Sequence, residues 1–350
     1  MQLISAHKIF SLNLPVFDVR SPSEYKHAHI PGAFSLPLFD DEQRATVGKI
    51  YKHNGRKHAI KTGVKFFRMQ EMISTAEKIL KAAGFPEDSE IIVHCWRGGM
   101  RSKAVAWLFD LYGFKVNIVE GGYKSFRNLV LNTFKIDYPF KVIGGFTGSN
   151  KTGILENLSK INLPVLNIEK IACHKGSAFG AFGQNPQPSQ EMFENLLAAE
   201  LIKFTGKPEI FIEDESQRIG RINIPHSLWQ TISNKDVYFL NIPFPERLNF
   251  IIQEYGTIQP ERLEEAIIRI QKRLGPLETK QSLSFLREGN ITECFTILLK
   301  YYDKAYLKAL AKKNTAIELN FETVDAQSNS KVIIKTAASV TDNQQQQIEK

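Results

Sequence analysis

Cys95 lies in the run Ile91-Ile92-Val93-His94-Cys95-Trp96-Arg97-Gly98-Gly99-Met100-Arg101-Ser102. An apolar segment delivers a thiol to a short loop with two glycines and two arginines, and Ser102 to Leu108 reads as a helix. Such a loop turns backbone N–H groups inward at Gly98 and Gly99, and the helix after it presents its positive end. Arg97 and Arg101 add cationic charge. Each of these lowers a thiol pKa and stabilises a bound anion. The spacing Cys-x5-Arg also suits phosphatases that grip a phosphate dianion. The loop therefore says thiolate beside an anion site, without choosing between chalcogen transfer and phosphate ester hydrolysis.

A second anion site follows in Lys141-Val142-Ile143-Gly144-Gly145-Phe146-Thr147-Gly148-Ser149-Asn150-Lys151-Thr152. An apolar strand enters a Gly-rich loop that ends in Lys-Thr, and a helix begins there. From Gly145 to Thr152 the run matches G-x-x-x-x-G-K-[ST], except that Asn150 replaces the last glycine. Asn is the non-glycine residue that best tolerates positive φ, so the turn is expected to survive. Gly145, Gly148, Ser149, Asn150, Lys151 and Thr152 would cradle a di- or triphosphate.

Ile210-Phe211-Ile212-Glu213-Asp214-Glu215-Ser216 reads as a second strand ending in acids. Asp214 and Glu215 are candidate supporting carboxylates, and Mg²⁺ at Thr152 and Asp214 is the one metal position expected. Arg218 and Arg221 follow at once and are candidates for phosphate or RNA backbone. Phe179 and Phe182 sit in a glycine-rich stretch that could shape a pocket, although core packing explains either ring as well. Ser189-Gln190-Glu191-Met192 reads as a capped helix start.

These loops need scaffolds. In 350 residues there is room for two domains, and 43% hydrophobic with 23% charged residues fits a soluble globular protein. No apolar run reaches membrane-spanning length, and Met1 to Lys8 lacks a signal-peptide core. Three widely spaced cysteines argue against a disulfide framework or a zinc site and for a reducing, cytoplasmic setting. The formal net charge of +8 favours a polyanionic partner. From Pro260 to Ala311 the pattern is helical, with Arg269, Lys272 and Arg273 clustered. Lys300, Lys304, Lys308, Lys312 and Lys313 make a basic stripe with Tyr301, Tyr302 and Tyr306 interleaved. Thr341 to Gln347 is of low complexity. The expected layout is an α/β domain over residues 1–137, a phosphate-loop α/β domain with a helical C-terminal part over 138–325, and a partly disordered tail over 326–350.

Asp18-Val19-Arg20, Glu24 and His29-Ile30-Pro31-Gly32-Ala33, followed by the Cys95 loop, resemble the rhodanese family in order and spacing. Ala28 departs from the glycine usual before His29. The whole order resembles the tRNA 2-selenouridine synthase family. The motifs that carry this are the Cys95 loop, Thr147 to Thr152, Lys175-Gly176-Ser177-Ala178-Phe179-Gly180, Gln187-Pro188-Ser189-Gln190 and Glu213 to Arg221. The resemblance implies a rhodanese-like domain followed by a P-loop NTPase-like one. It implies a tRNA bearing 2-thiouridine at the wobble position, S-alkylation with geranyl diphosphate, and replacement of the S-geranyl group by selenium. The selenium would come from selenophosphate, with Cys95 as its carrier, and no tightly bound cofactor is expected. Other readings are an ATP-driven tRNA sulfurtransferase, a phosphatase or kinase fusion acting on small molecules, and a non-catalytic RNA-binding adaptor.

Overall fold

The computed structural model describes residues 1–311, 313 and 315–348, with side chains up to residue 340. Two compact units emerge, Met1–Lys135 with Ser189–Ile202, and Ile136–Pro188 with Lys203–Lys350.

The first unit is built on five short parallel strands: β1 (Gln2–Ile4), β2 (Val16–Asp18), β3 (Phe34–Ser35), β4 (Ile91–His94) and β5 (Val116–Val119). Their order is β1-β5-β4-β2-β3, so β4 is central. It reads as a continuous apolar run because a parallel strand covered on both faces has no solvent side. Ile91, Val93, Phe17, Val105 and Phe109 belong to the core that fixes it. At the carboxyl end of β4 the chain leaves the sheet at Cys95 and enters the helix Met100–Tyr112. Helix Gln190–Lys203 starts on the expected cap, with the Met192 N–H donating to Ser189 Oγ at 3.0 Å. Its residues Ser189–Ile202 pack in this unit, where the sequence layout had assigned them to the second domain. Arg127 explains the placement, since it donates to Asn195 at 2.6 Å and is ion-paired with Glu194.

The second unit repeats the plan. Its strands are β6 (Phe140–Gly145), β7 (Val165–Leu166), β8 (Ile210–Glu213), β9 (Arg218–Ile219), β10 (Ile222–Asn223), β11 (Val237–Asn241) and β12 (Ala316–Asn320). The parallel order β12-β11-β6-β8-β7 puts β6 at the centre, while β9 and β10 form a small antiparallel hairpin. Ligands of open parallel sheets bind beyond the carboxyl ends of such strands, and the phosphate loop leaves β6 there. Helices Pro260–Leu274, Pro276–Arg287 and Ile291–Leu310 bear out the helical pattern, and their apolar faces join one core with Phe179, Ile251 and Tyr255.

The tail differs from expectation. Ala326–Ile348 is a helix, and Ile333 and Ala337 are buried in the core that holds Ile154, Leu155 and Leu158. An i, i+4 apolar pair supplies the seam, and the polar composition of the later residues hid it. Residues 349 and 350 lie outside the described residues. No helix among the described residues is long and apolar enough to cross a membrane.

Candidate active sites

In the first unit Cys95 is buried, with 3% of its surface exposed. Its Sγ lies 3.3 Å from Ser102 Oγ, which also contacts the Gly99 carbonyl at 3.2 Å. The loop is pinned from below. Tyr123 N–H donates to the Cys95 carbonyl at 2.8 Å, and Lys124 N–H to that of Trp96 at 2.9 Å. Gly98 has φ +62°, and a Cβ there would stand 2.6 Å from the Val119 carbonyl, so the turn requires glycine. Gly99 is the N-cap of the helix Met100–Tyr112, which sets the positive helix end beside the loop. Trp96 and Arg97 are exposed.

Arg101 has a partner the sequence did not announce. It donates to Glu24 Oε2 at 2.8 Å, and Arg44 reaches the same oxygen at 3.0 Å. Burial opposes ionisation of Glu24, but the Arg101 hydrogen bond and charge outweigh it and hold the carboxyl at about 2. Arg101 therefore ties the loop to the helix Pro22–His27 and shares its charge with Glu24. Below the loop lies a buried pair. Arg20 donates to Asp18 Oδ2 at 2.6 Å and to the Ala28 carbonyl at 2.7 Å, and its guanidinium lies 3.8 Å over the Tyr123 ring. Burial keeps His94, opposite Asp18 in the sheet, from taking up a proton. Asp18 and Arg20 are two of the residues on which the resemblance rested, and they tie the end of β2 to the Ala28 carbonyl and the Tyr123 ring.

In the second unit the phosphate loop takes the expected form. Asn150 adopts φ 55° and ψ 37°, so an asparagine serves where a glycine is usual. Its Nδ2 donates to the Val324 carbonyl at 2.9 Å. Gly148 has φ +83°, and a Cβ would come within 2.7 Å of the Arg247 carbonyl. Lys151 Nζ bridges back to the Gly145 carbonyl at 2.8 Å. Buried Ser149 donates to the Phe146 carbonyl at 2.7 Å. Arg247, missed by sequence reasoning, donates to the Thr147 carbonyl at 3.1 Å and forms a bidentate pair with Asp303.

The acids are arranged differently from expectation. Asp214 is engaged by Tyr306 at 3.0 Å and Lys313 at 2.7 Å, and Tyr306 Oη accepts from Gly145 N–H. Tyr306 and Lys313 are thus braces of Asp214 and the Gly145 turn and not part of a solvent-facing stripe. Lys312 lies outside the described residues. Thr152 Oγ1 donates to Glu169 Oε2 at 3.3 Å. Among the described residues no group of three or more His, Cys, Asp and Glu is arranged to hold a metal ion.

Glu169, Glu213 and Glu215 stand together. Burial, then the charge of Glu169, pushes Glu213 up to about 8. Burial, then Glu169 and Glu213, raises Glu215 well above its ordinary value. Burial thus favours the neutral form of Glu213 and Glu215 and makes the wall beside Lys151 less negative than its composition implies. Glu213 accepts from Glu169 N–H at 2.8 Å through Oε1, while Oε2 is buried without a partner. Because the folded pKa lies above the ordinary value of 4.5, the unfolded chain releases this proton first. Stability is then full below about 4.5 and falls as pH rises towards 8. Glu213→Gln is expected to raise the melting temperature at pH 8 by several degrees and to have little effect at pH 4. An effect of the same size at both values would refute the assignment.

A cavity of about 1970 Å³ opens from the phosphate loop. Its apolar wall includes Phe179, Ile251, Tyr255, Phe295, Leu298 and Leu299. Arg218, Arg221, Arg269, Lys272 and Arg273 also line it, and all five are exposed. Phe179 serves both as core and as cavity lining.

Residues 138–332 match the family model of the tRNA 2-selenouridine synthase AAA domain, and residues 5–129 match that of the rhodanese-like domain. The tRNA 2-selenouridine synthase of Bdellovibrio bacteriovorus is 30% identical, over 88% of this chain and 92% of its own. That of Nitrosomonas europaea is 35% identical, over 74% of this chain and 69% of its own. That of Hydrogenovibrio crunogenus is 31% identical, over 91% and 95%. Two parallel sheets, each sending a glycine-rich loop from its central strand, agree with both models, and the chain belongs to the tRNA 2-selenouridine synthase family, a family of tRNA-modifying enzymes.

Proposed function

We propose that the protein converts wobble 2-thiouridine of tRNA to 2-selenouridine in two steps. In the first, the sulfur on C2 bonds to C1 of geranyl diphosphate, and diphosphate leaves with the C–O electron pair. In the second, the selenium of selenophosphate, held at the Cys95 loop, bonds to C2, geranylthiol departs with the C2–S electron pair, and the phosphoryl group passes from selenium to water as the Se–P bond breaks. Alkylation is needed because a thiocarbonyl sulfur is a poor leaving group.

The observation that carries this reading is the cavity of the second unit. A phosphate loop with Lys151 stands at one side of it, and Phe179, Tyr255, Phe295 and Leu298 make an apolar wall of the kind an isoprenoid chain needs. Such a site would bind the diphosphate and its tail together and stabilise the charge that grows on the departing group. The basic residues lining it suit RNA phosphates. The Cys95 loop supports the second step, since a chalcogen anion there would sit among backbone N–H groups and a helix N-terminus. A localisation in the cytoplasm agrees with three free cysteines.

The test is reconstitution with purified protein, tRNA carrying 2-thiouridine, geranyl diphosphate and selenophosphate, followed by mass analysis of the nucleosides. S-geranyl-2-thiouridine is expected without selenophosphate, and 2-selenouridine with it. Conversion that ignores geranyl diphosphate and needs ATP would overturn the reading in favour of a nucleotide-driven sulfurtransferase.

A further inference from the structure

S-alkylation of 2-thiouracil has a proton to dispose of. As the sulfur bonds to carbon, the C2=S double bond becomes single, and N3 gives up its proton so that its N–H electron pair can form C2=N3. Without that loss the base would be a cation. We infer that His174, in the second unit, is the residue whose Nε2 takes this proton. The inference rests on the proposed geranyl transfer at the phosphate loop.

The geometry singles out this ring. His174 follows the helix Ile168–Ala172, with its N–H bonded to the Glu169 carbonyl at 3.1 Å, and only 8% of it is exposed. The imidazole is clamped between two glycine backbones. A Cβ on Gly180 would stand 2.8 Å from both Cε1 and Nδ1, and one on Gly220 would stand 2.8 Å from Cδ2. Nδ1 is buried without a partner. Nε2 is not enclosed, and the ring lines the same cavity as Lys151 and Thr152. The next residues lead back to the phosphate loop, because Gly176 packs on Glu215 and Glu169, and Glu169 contacts Thr152.

Several acids of the wall are committed elsewhere, Glu169 to Thr152 and Glu254 to an ion pair with Lys175. Lysines and arginines are donors. Burial raises Glu213 to about 8 and Glu215 well above its ordinary value, and Asp214 is occupied by Tyr306 and Lys313. His174 differs, since burial, and then the charge of Arg269 that faces it, keeps the imidazole unprotonated at neutral pH. The same setting makes the imidazolium short-lived. Nε2 takes the proton, sulfur closes on C1, diphosphate leaves, and the imidazolium returns its proton to water.

The experiment follows geranyl transfer to 2-thiouridine tRNA by the full chain and by its His174→Ala and His174→Gln variants, from neutral to alkaline pH. A general base is worth roughly 10²–10⁴-fold, so kcat at neutral pH is expected to fall by that order with the KM for geranyl diphosphate little changed. Two further results are expected of a proton acceptor and not of a packing residue. Added imidazole should restore His174→Ala, and the deficit should shrink at alkaline pH, where N3 ionises unaided. Both variants should still accept selenium on pre-geranylated tRNA, which also reports that they fold. Parent-like rates, or a loss that is constant with pH and unrescued, would overturn the inference while leaving the proposed function intact. A parent enzyme that transfers no geranyl group would overturn both.

Discussion

Replacing Cys95 with serine is expected to abolish selenium incorporation and to leave geranyl transfer intact. Only the chalcogen step runs through the Cys95 loop, and a serine hydroxyl cannot replace the thiolate there. The loop should keep its shape in the variant. Its backbone is held by Tyr123 and Lys124, and a serine Oγ can still meet Ser102 Oγ, which lies 3.3 Å from Sγ. Loss of an acting nucleophile costs on the order of a thousandfold or more. The measurement is 2-selenouridine formed from pre-geranylated tRNA, beside geranylation of 2-thiouridine tRNA by the same preparation. Cys173→Ser and Cys294→Ser serve as controls and should remain active. Cys294 is buried, and burial pushes its thiol up to about 11, which makes it inert. Full selenation by Cys95→Ser would remove Cys95 from the reaction.

Both loops were legible because each is written locally. An apolar strand, glycines at the turn and a helix start fall within a dozen residues, and the chemistry-bearing side chain sits at a fixed place among them. Even the replacement of glycine by Asn150 could be read, since the side chain tolerates the left-handed φ of 55° that the structure adopts. What escaped was written across long separations. Arg101 and Glu24 are 77 residues apart, Tyr306 and Asp214 are 92 apart, and Arg247 and Thr147 are 100 apart. No spacing rule connects such pairs, because tertiary packing alone brings them together. Composition also misled at two places. The polar C-terminal segment hid the seam of Ile333 and Ala337, and the lysine-rich stripe hid the use of Tyr306 and Lys313 as braces of Asp214. The cap at Ser189 was readable, yet the unit its helix packs in depends on Arg127 and Tyr123, far back in the chain.

Lys151→Ala is expected to block geranyl transfer. In the proposed reaction, charge develops on the diphosphate as the C1–O bond breaks, so a donor fixed beside it stabilises the transition state more than the bound substrate. Lys151 is set for this at the start of the helix Lys151–Lys160, where the loop N–H groups and the positive helix end also converge. Its Nζ now bonds to the Gly145 carbonyl at 2.8 Å and would exchange this contact for the anion without moving the backbone. Removing one such donor costs on the order of a hundredfold in rate. The loop has other supports that the variant keeps, namely Arg247 on the Thr147 carbonyl, Ser149 on that of Phe146 and Asn150 on that of Val324. The decisive comparison is therefore paired. Geranyl transfer to 2-thiouridine tRNA should be lost, while the same protein should still convert pre-geranylated tRNA to the 2-selenouridine form, because that step runs through Cys95 in the first unit. Loss of both activities would point to a general failure of folding or of tRNA binding. Normal geranylation would mean that diphosphate does not leave from this loop, and the ATP-driven reading of the second unit would take precedence.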